Sequence, residues 1–321
     1  MDISLVIPLY NEEENVQLLY EELKSVLAGM PCRSEIVFVD DGSRDGTMAI
    51  LETIQAGDET VRVVSLRRNF GQTAAMTAGF DHAHGEVIIT MDGDMQNDPH
   101  DIPQMLAKLN EGFDVVTGWR FDRQDPFLSR KLPSQMANRL ISWVTEVKLH
   151  DYGCTLKAFR REVIENINLY GEMHRFIPAI ASGMGISFTE VKVNHRPRRF
   201  GTSKYGISRT IRVVLDLITV KFMLSYATRP LHVFGTVGVV SSALGALIAL
   251  IMTVQRQLFG VGLANRPLLL LAVLLIFMGI QFITIGLLAE LVVRTYHESQ
   301  KKPIYFVRKV LGEQPAGSRQ A

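Results

Sequence analysis

Through its first 120 residues the chain alternates short, nearly continuous apolar runs with stretches whose apolar positions recur at helical spacing. The runs ISLVIP (3–8), EIVFVD (35–40), VRVVSL (61–66), EVIITMD (86–92) and DVVTGW (114–119) read as strands, with helices near 12–28, 45–56, 71–83 and 101–111 between them. Such alternation builds βαβ units, and strands apolar on both faces belong to a mostly parallel sheet with helices on each side. After Arg229 the pattern changes. Pro230 to Gln255 is a run of 26 residues without Lys, Arg, Asp or Glu, and Pro267 to Ala289 adds 23 more, dominated by Leu, Ile, Val and Phe. At 1.5 Å per residue the shorter run reaches about 35 Å, enough for a hydrocarbon core of roughly 30 Å. Gly235, Gly238, Gly245 and the Ser241-Ser242 pair suit close helix–helix contact in the first run.

Four regions follow: an α/β domain over 1–200, a basic loop with juxtamembrane amphipathic helices over 201–229, two transmembrane helices over 230–293, and a cytosolic tail over 294–321, disordered from Gly312. Arg209, Arg212, Lys221 and Arg229 precede the first span, and Arg294, Lys301, Lys302, Arg308 and Lys309 follow the second, whereas the connection near 256–266 carries only Arg256 and Arg266. The positive-inside rule then puts both termini and the large domain in the cytoplasm, with the spans in the cell inner membrane. The chain starts directly on a strand pattern, so no signal peptide is expected.

Composition narrows the partners. The chain has 321 residues, and its 34 Lys+Arg against 33 Asp+Glu give a net charge of +1, which argues against a nucleic-acid binder. With 47% hydrophobic and 21% charged residues, disorder is excluded as a general description. Cys32 and Cys154 form no disulfide framework and no metal-ligand spacing. The mean hydropathy of +0.14 owes most of its excess to the C-terminal spans.

In parallel sheets ligands bind beyond the carboxyl ends of strands. Those ends carry Pro8-Leu9-Tyr10-Asn11-Glu12, Asp40-Asp41-Gly42-Ser43, Arg67-Arg68-Asn69-Phe70-Gly71 and Asp92-Gly93-Asp94-Met95-Gln96. Neither GxGxxG after the first strand nor GxxxxGK[ST] is present, so a bound pyrophosphate needs its charge offset otherwise. Asp92 and Asp94, hard oxygen ligands joined by a glycine, suit Mg²⁺ or Mn²⁺. The plainer alternative is an acidic turn capping a helix near Asp98-Pro99; Asp40-Asp41 two strands away favours the metal.

These four segments resemble the family 2 glycosyltransferases of the GT-A fold. The chain is most similar to the polyprenyl-phosphate glycosyltransferases, a likeness that extends through Thr117-Gly118-Trp119-Arg120, Asp151-Tyr152-Gly153-Cys154, Arg199-Phe200-Gly201-Thr202-Ser203-Lys204-Tyr205 and the two spans. The resemblance implies a nucleotide sugar donor, a divalent metal, a lipid-phosphate acceptor and inversion at the anomeric carbon. It puts Pro8, Tyr10, Glu12, Asp40 and Asn69 with the donor, Asp92 near the ribose or metal, and Asp94 and Gln96 on the metal. It makes Asp151 the acidic active-site residue, acting as base or orienting sugar hydroxyls. UDP-glucose and undecaprenyl phosphate are expected from the same resemblance, and the glycine-rich spans make a homo-oligomer reasonable.

From Arg196 to Leu215 there are six basic residues and no acidic one. Arg199, Ser203 and Lys204 surround Gly201 just before the membrane segments, where a loop can grip an acceptor phosphate; Arg209 and Arg212 equally suit anionic lipid heads. Arg120 and Arg130-Lys131 are further phosphate ligands by position, and Arg175 reaches either the donor phosphates or an ion pair with Glu172. His82 and His84 read as helix-terminal histidines, and Met91 and Met95 as packing residues. Two other functions compete: a processive polysaccharide synthase, for which Trp119 and Trp143 supply no Gln-x-x-Arg-Trp motif, and a non-catalytic nucleotide-sensing membrane scaffold, which an eroded metal motif would favour.

Overall fold

The computed structural model describes residues 2–121, 138, 141–142, 145, 147–167, 169, 173–182, 185–197, 230–259, 262, 267–299 and 304–312. They fall in two units, Met1–Val220 with Pro303–Ala321, and Lys221–Lys302.

The first unit is built on one mixed sheet. Its strands are β1 Ile3–Leu9, β2 Ser34–Asp40, β3 Val61–Leu66, β4 Val87–Thr90, β5 Val115–Arg120, β6 Lys157–Arg160, β7 Phe188–Val193 and β8 Val307–Leu311, in the order β7-β5-β6-β4-β1-β2-β3-β8. The β4-β1-β2-β3 centre is parallel, while β6 runs antiparallel to β4 and β5, and β8 antiparallel to β3. This is the mostly parallel, Rossmann-like GT-A arrangement expected above. Helices α1 Val16–Ala28, α2 Thr47–Gly57, α3 Gln72–His82 and α4 Ile102–Asn110 alternate with the first strands, and the short α5 Arg161–Glu165 and α6 Ile177–Ser182 come later.

Both faces of β1 are apolar because both are covered. Ile3, Leu5, Ile7 and Leu9 join Val16, Leu19, Leu23 and Leu27 of α1, together with α2 and α4 residues, in one buried cluster. The alternate residue Val6 meets α3 on the opposite face, where Gly79 has no room for a side chain against Val6 and Val39. A strand with apolar residues at both parities thus signals its own double burial.

The segment expected as a tail requires a correction. Within 294–321, Val307–Leu311 form β8 and pair with β3, and Tyr305 is buried with its hydroxyl donating to Asp81 Oδ2 at 2.6 Å. Burial, with Asp81 beside it, raises the Tyr305 phenol well above its ordinary value. Arg308 and Lys309 break the apolar pattern because the strand lies at the sheet edge, where charge is tolerated and β3 would otherwise present unpaired backbone groups.

The second unit is a helical hairpin, α7 Pro230–Phe259 and α8 Pro267–Ser299. Phe234–Leu258 and Pro267–Leu288 are long and apolar enough to cross a membrane, and most of their side chains face outward. The helices meet along small residues. A Cβ on Gly238 would lie 2.6 Å from the Gly279 carbonyl, and one on Gly245 would lie 2.7 Å from that of Ala272. The two contacts run in opposite directions along the helices, so α7 and α8 pack antiparallel. Ser242 also joins this seam beside Gly279.

Candidate active site

The β1–β4 ladder ends at Val6–Thr90, whereas β1–β2 continues to Leu9–Asp40. Beyond Thr90 the strands part, and the missing N–H of Pro8 falls where β4 has already turned away, so it interrupts no ladder there. Because β2 and β3 lie on one side of β1 and β4 on the other, this is the point where strand order reverses, the favoured ligand crevice of open α/β sheets.

One wall follows β1. Asn11 sits in the left-handed region at φ 52°. Its N–H donates to Ser43 Oγ and its Oδ1 accepts from the Arg44 N–H, both at 2.9 Å. The Glu12 N–H donates to Thr47 Oγ1 at 2.9 Å, and Glu12 Oε2 accepts from Asn15 Nδ2 at 2.7 Å. Pro8, Tyr10 and Glu12 are half-buried along this wall.

Asp40 and Asp41 are both buried, and they do different things. Asp40 accepts from the Ser43 N–H at 3.0 Å and from Ser65 Oγ at 3.3 Å. Asp41 clamps the loop after β3, taking the Phe70 N–H at 2.7 Å and the Gly71 N–H at 2.9 Å. Burial pushes its carboxyl up to about 6, against the pull of those two amides and with help from the neighbouring Asp40 charge. Gly42, at φ 69°, lets the two loops touch: a Cβ there would lie 2.5 Å from the Arg68 carbonyl carbon. Asn69 is exposed at the tip of the clamped loop.

The opposite wall follows β4. Asp92 accepts from Gln72 Nε2 at 2.7 Å, and its N–H donates to Asn97 Oδ1 at 3.1 Å. Gly93 has no room for a side chain because Leu9 occupies the space. Met95 turns through φ 59° with its side chain buried, which lets Asp94 Oδ1 accept from the Gln96 N–H at 3.2 Å. Gln96 is tied to the strand beyond β7: the Arg196 N–H donates to Gln96 O at 2.9 Å, and Gln96 Nε2 donates to Arg196 O at 3.5 Å. Two carboxylates and an amide oxygen on one tight turn are a hard-oxygen set fitted to a divalent cation. Helix capping falls instead to Asp98, whose side chain accepts from the His100 N–H at 3.0 Å.

The floor comes from residues far along the chain. Asp151, buried, holds Arg120 in a two-pronged pair, Nε–Oδ2 2.6 Å and Nη2–Oδ1 2.9 Å. Burial alone would lower the Arg120 pKa, but the Asp151 pair outweighs it and holds the guanidinium above its ordinary value. Asp92 adds to that pull, and Thr155 Oγ1 donates to Asn97 Oδ1 at 3.0 Å, so the 151–155 turn abuts the 92–97 turn. Sequence reasoning missed two buried bases here. Lys157 donates to the Cys154 carbonyl, and His174 shares a 2.7 Å hydrogen bond with Thr73 Oγ1. Neither stands in a motif; only their polar identity inside apolar surroundings marks them.

Arg130, Arg199, Ser203 and Lys204, with the amphipathic stretch 201–229, lie outside the described residues. Of the expected histidines, His82 Nδ1 bonds the Ala78 carbonyl and His84 Nδ1 bonds Arg62, both structural. Glu22, Asp98 and His100 converge, but the cation among them is Arg196, 2.7 Å from both carboxylates.

Residues 4–167 match the family described as "Glycosyl transferase family 2". The chain belongs to that family. Its relatives are polyprenyl-phosphate glycosyltransferases, as the resemblance implied. A dodecaprenyl-phosphate galacturonate synthase of Rhizobium johnstonii is 45% identical, the match covering 98% of this chain and 94% of that protein. An undecaprenyl-phosphate 4-deoxy-4-formamido-L-arabinose transferase of Pseudomonas fluorescens is 40% identical, covering 98% and 91%. The fold is also that of glucosyl-3-phosphoglycerate synthase from Mycobacterium tuberculosis, crystallised with Mn²⁺, UDP-glucose and phosphoglyceric acid: TM-score 0.55 at 18% identity, over 70% of this chain and 79% of that one.

Proposed function

We propose that the protein transfers one sugar from a nucleotide donor to a polyprenyl phosphate at the cytosolic face of the inner membrane, with inversion. The observation that carries this reading is the meeting of the Asp92–Gln96 turn and the Arg120–Asp151 pair at the strand-order reversal, in a chain with two membrane-length helices. A phosphate oxygen of the lipid forms the new bond to the anomeric carbon. The bond from that carbon to the donor's diphosphate oxygen breaks, and the nucleoside diphosphate leaves with the electron pair.

Asp94 and Gln96, with Asp92, would hold Mg²⁺ or Mn²⁺, which offsets negative charge on the leaving diphosphate. Pro8, Tyr10, Glu12, Asp40 and Asn69 line the nucleoside side. A phosphate monoester, with a second pKa of about 6, is already largely dianionic at pH 7 and needs no base. Asp151, committed to Arg120, therefore orients the guanidinium and the sugar. Arg199, Ser203, Lys204 and Arg130 receive the acceptor phosphate. The names of the relatives favour galacturonate or a formamido-arabinose over the glucose first expected.

The test is transfer of label from a panel of radiolabelled nucleotide sugars into butanol-extractable lipid by the full-length protein, with polyprenyl phosphate and either metal. Label that needs the lipid and is lost in Asp94→Asn supports the reading. Nucleotide binding without lipid product from any donor would replace it with the scaffold.

A further inference from the structure

Two adjacent aromatic residues precede β8, and the fold treats them differently. Tyr305 is buried, while Phe306 is 64% exposed and contributes little to the core. β8 pairs with β3 as far as Val307 opposite Leu66, and the register shifts between Ser65 and Leu66. Arg308 is the extra residue, the mark of a bulge, which bends a strand. The pairing reaches past the strand end: the Arg67 N–H donates to Phe306 O at 2.9 Å. The Phe306 ring then meets Phe70, with centroids 6.1 Å apart and planes tilted by 47°. Arg68 Cζ lies 4.4 Å from the centroid of the same Phe70 ring. Tyr305, one residue earlier, donates its hydroxyl to Asp81 of α3.

These contacts bracket one loop. β3 leads into Arg67–Gly71 and α3 leads out of it, and the C-terminal segment is attached to both. Asp41 holds the loop by the backbone N–H groups of Phe70 and Gly71, whereas Phe306 holds it by the Phe70 side chain. Gly71, at φ 97°, gives the loop a backbone freedom that such contacts remove. Asn69, exposed at the tip, immediately precedes the residue gripped in both ways. The helix that follows begins with Gln72, which donates to Asp92, so the loop also ends beside the opposite wall of the crevice.

We propose that Phe306 is a positioning residue for the nucleotide donor: through Phe70 it holds the Arg67–Gly71 loop, with Asn69, in its binding conformation, and Tyr305 anchors the segment that carries it. The proposal rests on the transferase reading above. A loop ordered in advance spares the binding step the cost of ordering it, so loss of the ring contact shows in donor affinity rather than in turnover.

The experiment titrates the full-length protein in detergent with UDP, GDP, CDP and dTDP in the presence of Mn²⁺, by calorimetry. Label transfer from the nucleotide-sugar panel is measured alongside. Phe306→Ala is expected to weaken nucleotide binding, and to raise the donor KM, by about 5-fold, the scale of one aromatic pair. Both kcat and the KM for polyprenyl phosphate should change by less than about 2-fold. Amide exchange in peptides spanning Phe70 and Gly71 should quicken by about 5-fold in the same variant. Phe306→Tyr keeps the ring and should restore wild-type affinity. Should Phe306→Ala fail to fold, Phe306→Leu, apolar and of similar bulk, takes its place with the same expectation. Lys309→Ala removes only an exposed ion pair between β8 and Glu52 and should leave nucleotide affinity unchanged.

A lower melting temperature for Phe306→Ala with unchanged nucleotide affinity overturns the proposal and leaves a structural pair. Equal weakening by Lys309→Ala overturns it too, because the strand rather than the ring would then be responsible. A wild type that binds none of the four nucleotides removes the donor site and the proposal with it. Affinity that depends on Phe306, without lipid product from any donor, keeps the positioning role and removes the transferase reading. Lipid product with affinity independent of Phe306 does the reverse.

Discussion

Two acidic pairs at strand ends look alike in the sequence, and the fold uses them in opposite ways. Asp40 and Asp41 brace the loops beside the proposed donor wall: Asp40 ties Ser43 and Ser65, and Asp41 holds the Phe70 and Gly71 amides. Asp92 and Asp94 lie on a turn that Gly93 and Met95 bend until Asp94 and Gln96 come together. The difference lies in what stands opposite each pair. Asp41 faces the amides of an adjacent loop, an intramolecular stand-in for a ligand. Asp92–Gln96 lies at the reversal between β1 and β4, its carboxylates held by Gln72 and by the Gln96 amide of the same turn.

That contrast can be broken most sharply at Asp94. Asp94→Asn should lower sugar transfer by about 10²–10³-fold, the usual scale for removing one preorganised electrostatic group, and move the thermal midpoint by only about 2 °C. Radiolabel transfer and a thermal melt in detergent check the two halves. Asp41→Ala should show the reverse weighting. Losing the acceptor for two half-buried amides should destabilise by about 2–4 kcal/mol and raise the donor KM, with kcat changed less. Equal kinetic damage from both substitutions would abolish the distinction.

Gly42→Ala tests the loop contact on which Asp41 depends. A methyl at φ 69°, 2.5 Å from the Arg68 backbone, should cost about 1–3 kcal/mol and weaken donor binding through the Asn69–Gly71 loop. Denaturation together with nucleotide titration reads both.

The smallest effect is on pH dependence. Asp41 keeps its proton up to about 6 in the fold, whereas an unfolded aspartate releases it near 3.8. The native state therefore binds the extra proton between those values, and Asp41's contribution to stability falls as pH rises through that window. Asp98 has the opposite sign. Burial would raise it, but hydrogen bonds from Asn194, His100 and Arg196 bring it down to about 2, so its contribution is present above 3.8 and lost as pH falls toward 2. The melting temperature of Asp41→Asn relative to wild type should vary between pH 4 and 6 and stay flat above. A difference that kept changing above pH 7 would remove Asp41 as its source.

Much of this was legible beforehand where the signal is local. The first five strands, the Asp92–Gln96 turn and both membrane-length helices follow from runs and spacings within a few residues of one another. β6 escaped notice because Lys157–Arg160 is four residues with a charge at each end, and β7 because Phe188–Val193 places charges at Glu190 and Lys192. β8 was hidden by the basic residues that suit it to an edge. Lys157 and His174 carry no motif, and their meaning comes only from burial beside Arg175.

The sequence by itself determined the first five strands, the two segments long and apolar enough to cross a membrane, and the oxygen-bearing residues at the strand ends, because those properties depend on periodicity and residue chemistry over short stretches. Only the tertiary structure decided that Asp41 is spent on a loop while Asp94 closes its own turn on the Gln96 amide. It also decided that Asp151 meets Arg120 across 31 residues of chain, and that the C-terminal strand returns to the edge of β3. Each of those outcomes depends on which strands become neighbours, and sheet order is set by long-range packing that no single stretch of the chain encodes.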